Sequence, residues 1–190
     1  MRSVVLYTLM SLDGAVDDPH RYFPGTDPES NGPPVFDPVM IELERAMIAR
    51  QDTVVLGRGM YDEWARYWPT SDEQPFADFI NGVQKYVVTS SPLTGGWSRA
   101  EAVAAPWPEF LADLVRRPGG DIGVHGSIEL ARSMLAAGLI DELHLLVGPV
   151  LDPVGRRLFD GLPRPVRLQL RQATPTPSGS VWLHYRAPAD

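Results

Sequence analysis

The chain has 190 residues, long enough for one domain with a full core, and its 44% hydrophobic and 22% charged content is that of a globular protein. A net charge of −7 argues against nucleic acid or an anionic membrane as the main partner, because both require a cationic face that releases counterions. Cysteine is absent, which removes disulfides, thiolate nucleophiles and cysteine-based zinc sites. No apolar run nears the roughly 20 residues of a spanning helix, and Met1-Arg2-Ser3 enters Val4-Val5-Leu6 without a cleavable leader, so a soluble, cytoplasmic protein is expected.

Residues 3–9 form an apolar, β-branched run that predicts a strand buried on both faces. A polar stretch over 11–36 follows, broken by Asp-Gly, Asp-Pro and Pro-Pro; loops this long inside a domain are usually functional or mobile, and this one is a candidate lid. Asp37-Pro38 reads as an N-cap with a first-turn proline. Val39, Met40, Leu43, Ala46 and Met47 then recur at helical spacing to about Arg50. A short buried strand over 53–56 stops at Gly57-Arg58-Gly59, with a short helix expected over 60–66. A third strand covers 85–89 and ends in Ser90-Ser91-Pro92, a fourth lies near 101–104, and a helix opens at Pro108. Residues 121–124 make a buried strand that turns at His125-Gly126-Ser127 into a helix over 128–137, with Gly138 as its C′ residue. A strand over 142–150 follows. Val166-Leu168-Leu170 and Val181-Leu183-Tyr185 then alternate with polar residues, as in an antiparallel hairpin with one wet face.

Repeated βα units predict a single α/β domain over 1–190. Its three layers are a mostly parallel central sheet with helices on both faces, closed by an antiparallel hairpin. Ligands of such sheets bind beyond the carboxyl ends of the strands, and three of these ends carry residues suited to phosphate. Gly126-Ser127 lets a ligand approach the backbone next to the free amides of a helix N-terminus, or is simply a tight packed turn. Arg58, between Gly57 and Gly59, is either a bidentate phosphate grip or a solvated turn residue. Ser90 and Ser91 offer hydroxyls and amides, or merely begin a loop. The dinucleotide glycine fingerprint is missing, since Asp62 stands where its third glycine would fall, so any dinucleotide site is of another kind.

Taken together, these segments resemble the dihydrofolate-reductase-like superfamily. The closest branch is the C-terminal reductase domain of bifunctional riboflavin-biosynthesis deaminase-reductases. The resemblance rests on Val4-Val5-Leu6 leading to Ser11-Leu12-Asp13-Gly14, on Val54-Val55-Leu56-Gly57-Arg58 with Tyr61, and on Lys85-Tyr86-Val87-Val88-Thr89-Ser90. It continues in Val124-His125-Gly126-Ser127 and in Gly138-Leu139-Ile140-Asp141-Glu142-Leu143 running to Pro149-Val150. It implies an NADPH-dependent reductase acting on a small heterocyclic or sugar-derived substrate, akin to 5-amino-6-(5-phosphoribosylamino)uracil reductase. It places Gly57, Arg58, Ser90 and Ser91 at the adenosine 2′-phosphate and pyrophosphate. Gly126 and Ser127, often joined by a cis peptide in the family, would abut the nicotinamide, with Ile128 and Glu129 opening the helix behind them. Asp13 would contact substrate or nicotinamide, unless the Asp-Gly pair is only a turn. His125 is a second candidate, as an acid near neutral pH or as a packed side chain. A homodimer with residues 143–147 at its interface is also implied.

Three departures stand out. Met60 replaces a threonine common in relatives, the Gly-rich turn near Asp152-Pro153-Val154-Gly155 is incomplete, and Asn31-Gly32-Pro33-Pro34-Val35-Phe36 lacks the tryptophan of dihydrofolate reductases. A non-catalytic NADP(H)- or ligand-binding protein with a degenerate site, or a dihydrofolate reductase, therefore remain alternatives. The latter needs an inward carboxylate on the first long helix, and Glu42 and Glu44 are both available. Trp64, Tyr67 and Trp68 are read first as packing residues and second as a stacking platform for a planar substrate. His20, His125, His144 and His184 are widely spaced with no i, i+4 pair, so no metal site is expected.

Overall fold

A computed structural model of the chain describes residues 1–23, 36–103 and 106–187. In chain order the elements are β1 (Val4–Ser11), α1 (Pro19–Tyr22), α2 (Pro38–Ile48), β2 (Gln51–Gly57), α3 (Arg58–Tyr67), a 3₁₀ turn (Trp68–Thr70) and α4 (Phe76–Gly82). They continue with β3 (Gln84–Val88), β4 (Ala100–Val103), α5 (Trp107–Arg116), β5 (Asp121–His125), α6 (Ile128–Ala136), β6 (Glu142–Gly148), β7 (Gln169–Pro175) and β8 (Val181–Arg186). The strands form one eight-stranded sheet in the order β4-β3-β2-β5-β1-β6-β8-β7. All neighbours from β4 to β6 run parallel, while β8 is antiparallel to β6 and β7 to β8.

The two-residue period of the strands builds both cores. Val5 and Tyr7 of β1, with Val54 and Leu56 of β2, meet Met40 and Met47 of α2, Tyr61 of α3 and Ile80 of α4 on one face. Val4 and Leu6, with Val55, Ile122 and Val124, meet Leu111 and Leu114 of α5 and Leu130 and Met134 of α6 on the other. Three layers result, with the apolar runs of β1 and β2 buried on both sides. The α2 start is the one written in the sequence: Asp37 accepts hydrogen bonds from the amides of Val39 at 2.9 Å and Met40 at 3.1 Å. Because β5 is inserted between β1 and β2, the chain reverses its winding there and opens a crevice at the carboxyl ends of these strands.

Several expectations shift. The hairpin is present, but its first strand starts at Gln169; Val166 lies before it at 44% exposure, and Leu170 on it is 55% exposed, since an edge strand paired only with β8 has little to cover it. The stretch after β1 contains the single turn α1, and the rest of the candidate lid, 24–35, lies outside the described residues. The helix α4 has no clear periodic signal and is held by packing: Phe76, Ala77 and Ile80 are buried, and Lys85 donates from Nζ to the carbonyls of Ile80 and Val83, both at 2.8 Å. A cation at a helix carboxyl end is favoured by the helix dipole. Leu143, Leu145 and Leu146, expected at a dimer interface, are covered by their own chain instead: β6 lies between β1 and β8, and they are 1%, 5% and 0% exposed. The Gly126–Ser127 peptide is trans; the cis bond among the described residues is Gln74–Pro75. No helix among the described residues is long and apolar enough to cross a membrane.

Gly148 ends β6 directly beneath α1, and a Cβ added there would overlap the Tyr22 carbonyl oxygen. Gly148→Ala is expected to push α1 outward and lower stability by about 2 kcal/mol. Urea denaturation measures this, and an unchanged midpoint would mean that α1 does not depend on the close approach.

Candidate functional site

The centre of the site is where β2 and β5 end side by side. Gly57 precedes α3 and offers no side-chain cap. Ser127 precedes α6, but its hydroxyl does not cap that helix; it accepts the Gly57 amide at 2.8 Å instead. One bond thus ties the two helix starts together and leaves the first amides of both helices free of side-chain caps. Their positive dipole ends face a common space. Gly126 completes the turn with φ +66°, in the left-handed region that favours glycine, and a Cβ there would meet Trp64 at 2.9 Å and Met60 at 3.0 Å.

These strand ends open into a cavity of about 920 Å³, the upper end of the range for small-molecule sites. Gly57, Arg58, Gly126, Ser127, Ile128 and Glu129 all line it. Ser90 and Ser91 do not; both are exposed, and Ser91 is linked to the site through Arg58. Arg58 donates from Nη1 to the Ser91 hydroxyl at 2.9 Å and to the Pro92 carbonyl at 3.0 Å, and from Nε to Asp62 at 2.8 Å. Its Nη2 edge makes no hydrogen bond among the described residues.

The two side chains singled out for chemistry take other roles. Asp13 does not line the cavity. It accepts from the Asp152 amide at 2.9 Å and the Ser11 hydroxyl at 2.7 Å, and pairs with Arg157 at 2.7 Å. These bonds, the Asp152 amide foremost, hold its carboxyl down at about 2. Asp13 clamps the turn after β1 to the segment after β6, and the Asp-Gly pair is a turn. His125 does line the cavity, but it is 1% exposed, its Nε2 bonds Gln51 Oε1 at 2.8 Å, and its ring packs edge-on to Tyr7 and Phe76. Burial, aided by His144, pushes it down to about 3. Burial therefore favours the neutral imidazole over the imidazolium near neutral pH.

Among the carboxyls that line the cavity, Glu44 is the most deeply buried. It falls on the buried stripe of α2, four residues after Met40 and three before Met47, and is 4% exposed, whereas Glu42 points to solvent. Burial pushes its carboxyl up from 4.5 to about 7. Tyr7 faces it from β1; the phenol is raised well above its usual value, first by burial and then by the Glu44 charge. The Tyr7 hydroxyl is buried without a hydrogen bond of full geometry, so it and Glu44 are adjacent but not locked together. Glu73 and His20 line the same region, with Trp64, Trp68 and Phe76 as an aromatic wall; the Trp68 and Phe76 rings are 4.9 Å apart. A carboxyl inside an apolar helical stripe was the available signal for Glu44. No spacing announced another cluster: His144 and His184 stack at 4.0 Å because β6 pairs with β8.

The family profile described as the RibD C-terminal domain matches residues 2–182. Among solved structures, a Shewanella sp. PV-4 protein provisionally assigned to riboflavin biosynthesis superposes with a TM-score of 0.75 at 19% identity, covering 98% of this chain and 99% of that one. A Thermotoga maritima diaminohydroxyphosphoribosylaminopyrimidine deaminase/5-amino-6-(5-phosphoribosylamino)uracil reductase gives 0.66 at 15% identity, covering 98% of this chain and 57% of that one. Dihydrofolate reductase from Enterococcus faecalis, complexed with NADP(H) and RAB-propyl, gives 0.61 at 14% identity over 98% of this chain and 97% of that one. At these identities the likeness concerns the fold, and it is the dihydrofolate-reductase-like one.

Between 4.5 and about 7 the folded chain keeps the Glu44 proton that the unfolded chain has released. Stability therefore falls as pH rises through that window and stays lower above it. Glu44→Gln removes the dependence. The variant is expected to exceed the parent by up to about 3 kcal/mol at pH 8 and to match it near pH 4.5. Denaturation curves at the two pH values measure this; a difference that does not change with pH would assign the titration to another group.

Proposed function

Because the chain belongs to the RibD C-terminal domain family, a reductase family, we propose that it is a single-domain, cytoplasmic, NADPH-dependent reductase that delivers a hydride to a small, planar, nitrogen-rich heterocycle. The observation that carries this reading is the pair of uncapped helix starts, α3 and α6, tied by the Gly57–Ser127 bond and facing a cavity that also holds a buried carboxyl. The amides of Ile128 and Glu129 and the backbone at Gly57 and Gly126 suit a pyrophosphate. The free edge of Arg58, with Ser91 beside it and Ser90 next along the chain, suits the adenosine 2′-phosphate.

When bound, the nicotinamide supplies the hydride, and the protein's part is placement and exclusion of water. Trp64, Trp68 and Phe76 offer flat apolar surface against which a planar ring is desolvated. Glu44, with a value near 7, is present in both protonation states at neutral pH. It can hold a proton at its carboxyl oxygen and pass it to a ring nitrogen, or accept a hydrogen bond from a ring N–H. Tyr7 on β1, adjacent to Glu44, can donate a hydrogen bond to the carboxylate form of Glu44. Glu44 and Glu73 also favour neutral or cationic substrate groups over a phosphosugar, in keeping with the incomplete Gly-rich turn after β6. A homodimer belongs to the same proposal, with its interface away from β6; a monomeric mass in solution at micromolar concentration would end that part.

NADPH is expected to raise Tm more than NADH, and Arg58→Ala to erase most of the difference; equal shifts would remove Arg58 from the phosphate site. In a panel of aminopyrimidine, pterin and flavin substrates, Glu44→Gln is expected to keep the NADPH-induced shift while slowing NADPH oxidation about 100-fold. Tight NADPH binding with no oxidation by the parent across the panel would replace the enzyme with a cofactor-binding protein.

A further inference from the structure

On the side of β6 away from its carboxyl end, three side chains converge outside the cavity. Glu142 and His144 are two residues apart on β6 and so share a face of the sheet. His184 on β8 is the cross-strand partner of His144. From Glu142 Oε2, His184 Nε2 is 3.2 Å away and His144 Nε2 is 3.6 Å away, and one donor atom from each residue lies within 4.8 Å of the others. Glu142 is 9% exposed and His144 6%. Glu142 Oε2, His184 Nε2 and both ring nitrogens of His144 are buried without a hydrogen-bond partner. Buried polar atoms are nearly always paired, and here one ligand atom from each of three residues borders the same small space.

We propose that Glu142, His144 and His184 bind one divalent transition-metal ion of the zinc class. Two imidazoles and a carboxylate suit zinc, cobalt or nickel, whereas magnesium and calcium take oxygen ligands. Bonds of about 2.0–2.1 Å in a tetrahedron place neighbouring ligand atoms about 3.4 Å apart, and the two distances to Glu142 bracket that figure. The remaining adjustment is a tilt of the two stacked rings toward each other. His184 is partly exposed and gives the ion a way in, with water as the fourth ligand. Arg50 lies 3.3 Å from the same Glu142 oxygen but is also paired with Asp121 at 2.6 Å, so it keeps a partner when the ion takes Glu142. The ion would cross-link β6 to β8 beneath Trp182, whose ring meets His144 edge-on at 5.7 Å and stacks on Tyr7 at 5.3 Å. It would act as a staple behind the wall that carries Tyr7, and it does not depend on which cofactor or substrate fills the cavity.

The test uses untagged protein stripped with a chelator. About one equivalent of Zn²⁺ is expected to bind per chain and raise Tm by several degrees, with no rise from Mg²⁺. Co²⁺ is expected to give the visible absorption of a low-coordinate site, saturating at one equivalent. His184→Gln, at a partly exposed position, is expected to lose the Zn²⁺ shift and weaken binding at least about tenfold. If that variant does not fold, the Co²⁺ spectrum of the parent decides. A parent with neither a Zn²⁺ shift nor a Co²⁺ band, or a folded His184→Gln protein with an undiminished shift, would overturn the site.

Discussion

The Gly57 amide and the Ser127 hydroxyl, 2.8 Å apart, join the ends of two neighbouring strands at the point where two helices begin. A serine before a helix would ordinarily spend its oxygen on the first-turn amides. Here it is spent across the sheet, so the α6 amides stay available and α3 is held in register with α6. The crevice exists because β5 is inserted between β1 and β2. Its chemical character, a concentration of amide donors with no side chain in front of them, follows from that one diverted hydroxyl. Gly126 serves the same end, since any side chain there would collide with Trp64 and Met60.

Opposite this donor-rich rim lies a group that costs stability. A carboxyl in the apolar stripe of α2 is a local rule broken without structural gain, and such breaks concentrate where function requires them. Burial moves Glu44 into the range where it gains and loses a proton near neutrality. His125, which lines the same cavity, is pushed by burial in the opposite sense, toward the neutral imidazole. Desolvation penalises the charged form of each, so it creates an available proton on the acid and withdraws one from the base.

What the sequence made legible was whatever a residue dictates through its own backbone or its near neighbours. Asp37 capped α2 where expected, the apolar runs of β1 and β2 were buried on both faces, and the glycines at 57 and 126 marked strand ends that line a cavity. What failed depended on distant partners. Asp13 looked available because Arg157, which holds it, lies 144 positions away. His125 looked titratable because Gln51 and Phe76 come from other elements. His144 and His184 looked scattered because only the register of an antiparallel pair brings them together. Glu44 lay between these cases: its place on the stripe was countable from Met40 and Met47, but its depth was set by Tyr7 across the layer. The short helix α4 owes its existence to tertiary contacts that propensity does not encode.

Lys85 carries a consequence outside the active cavity. It is the chain's only lysine, it is fully enclosed, and its ammonium is committed to the two carbonyls that finish α4, with the Trp97 ring 4.6 Å away. The folded surface consequently presents no ε-amine. Acylating reagents, amine-directed cross-linkers and enzymes that tag lysine find no such handle on the native chain, and labelling of Lys85 would report local opening at the α4–β3 junction.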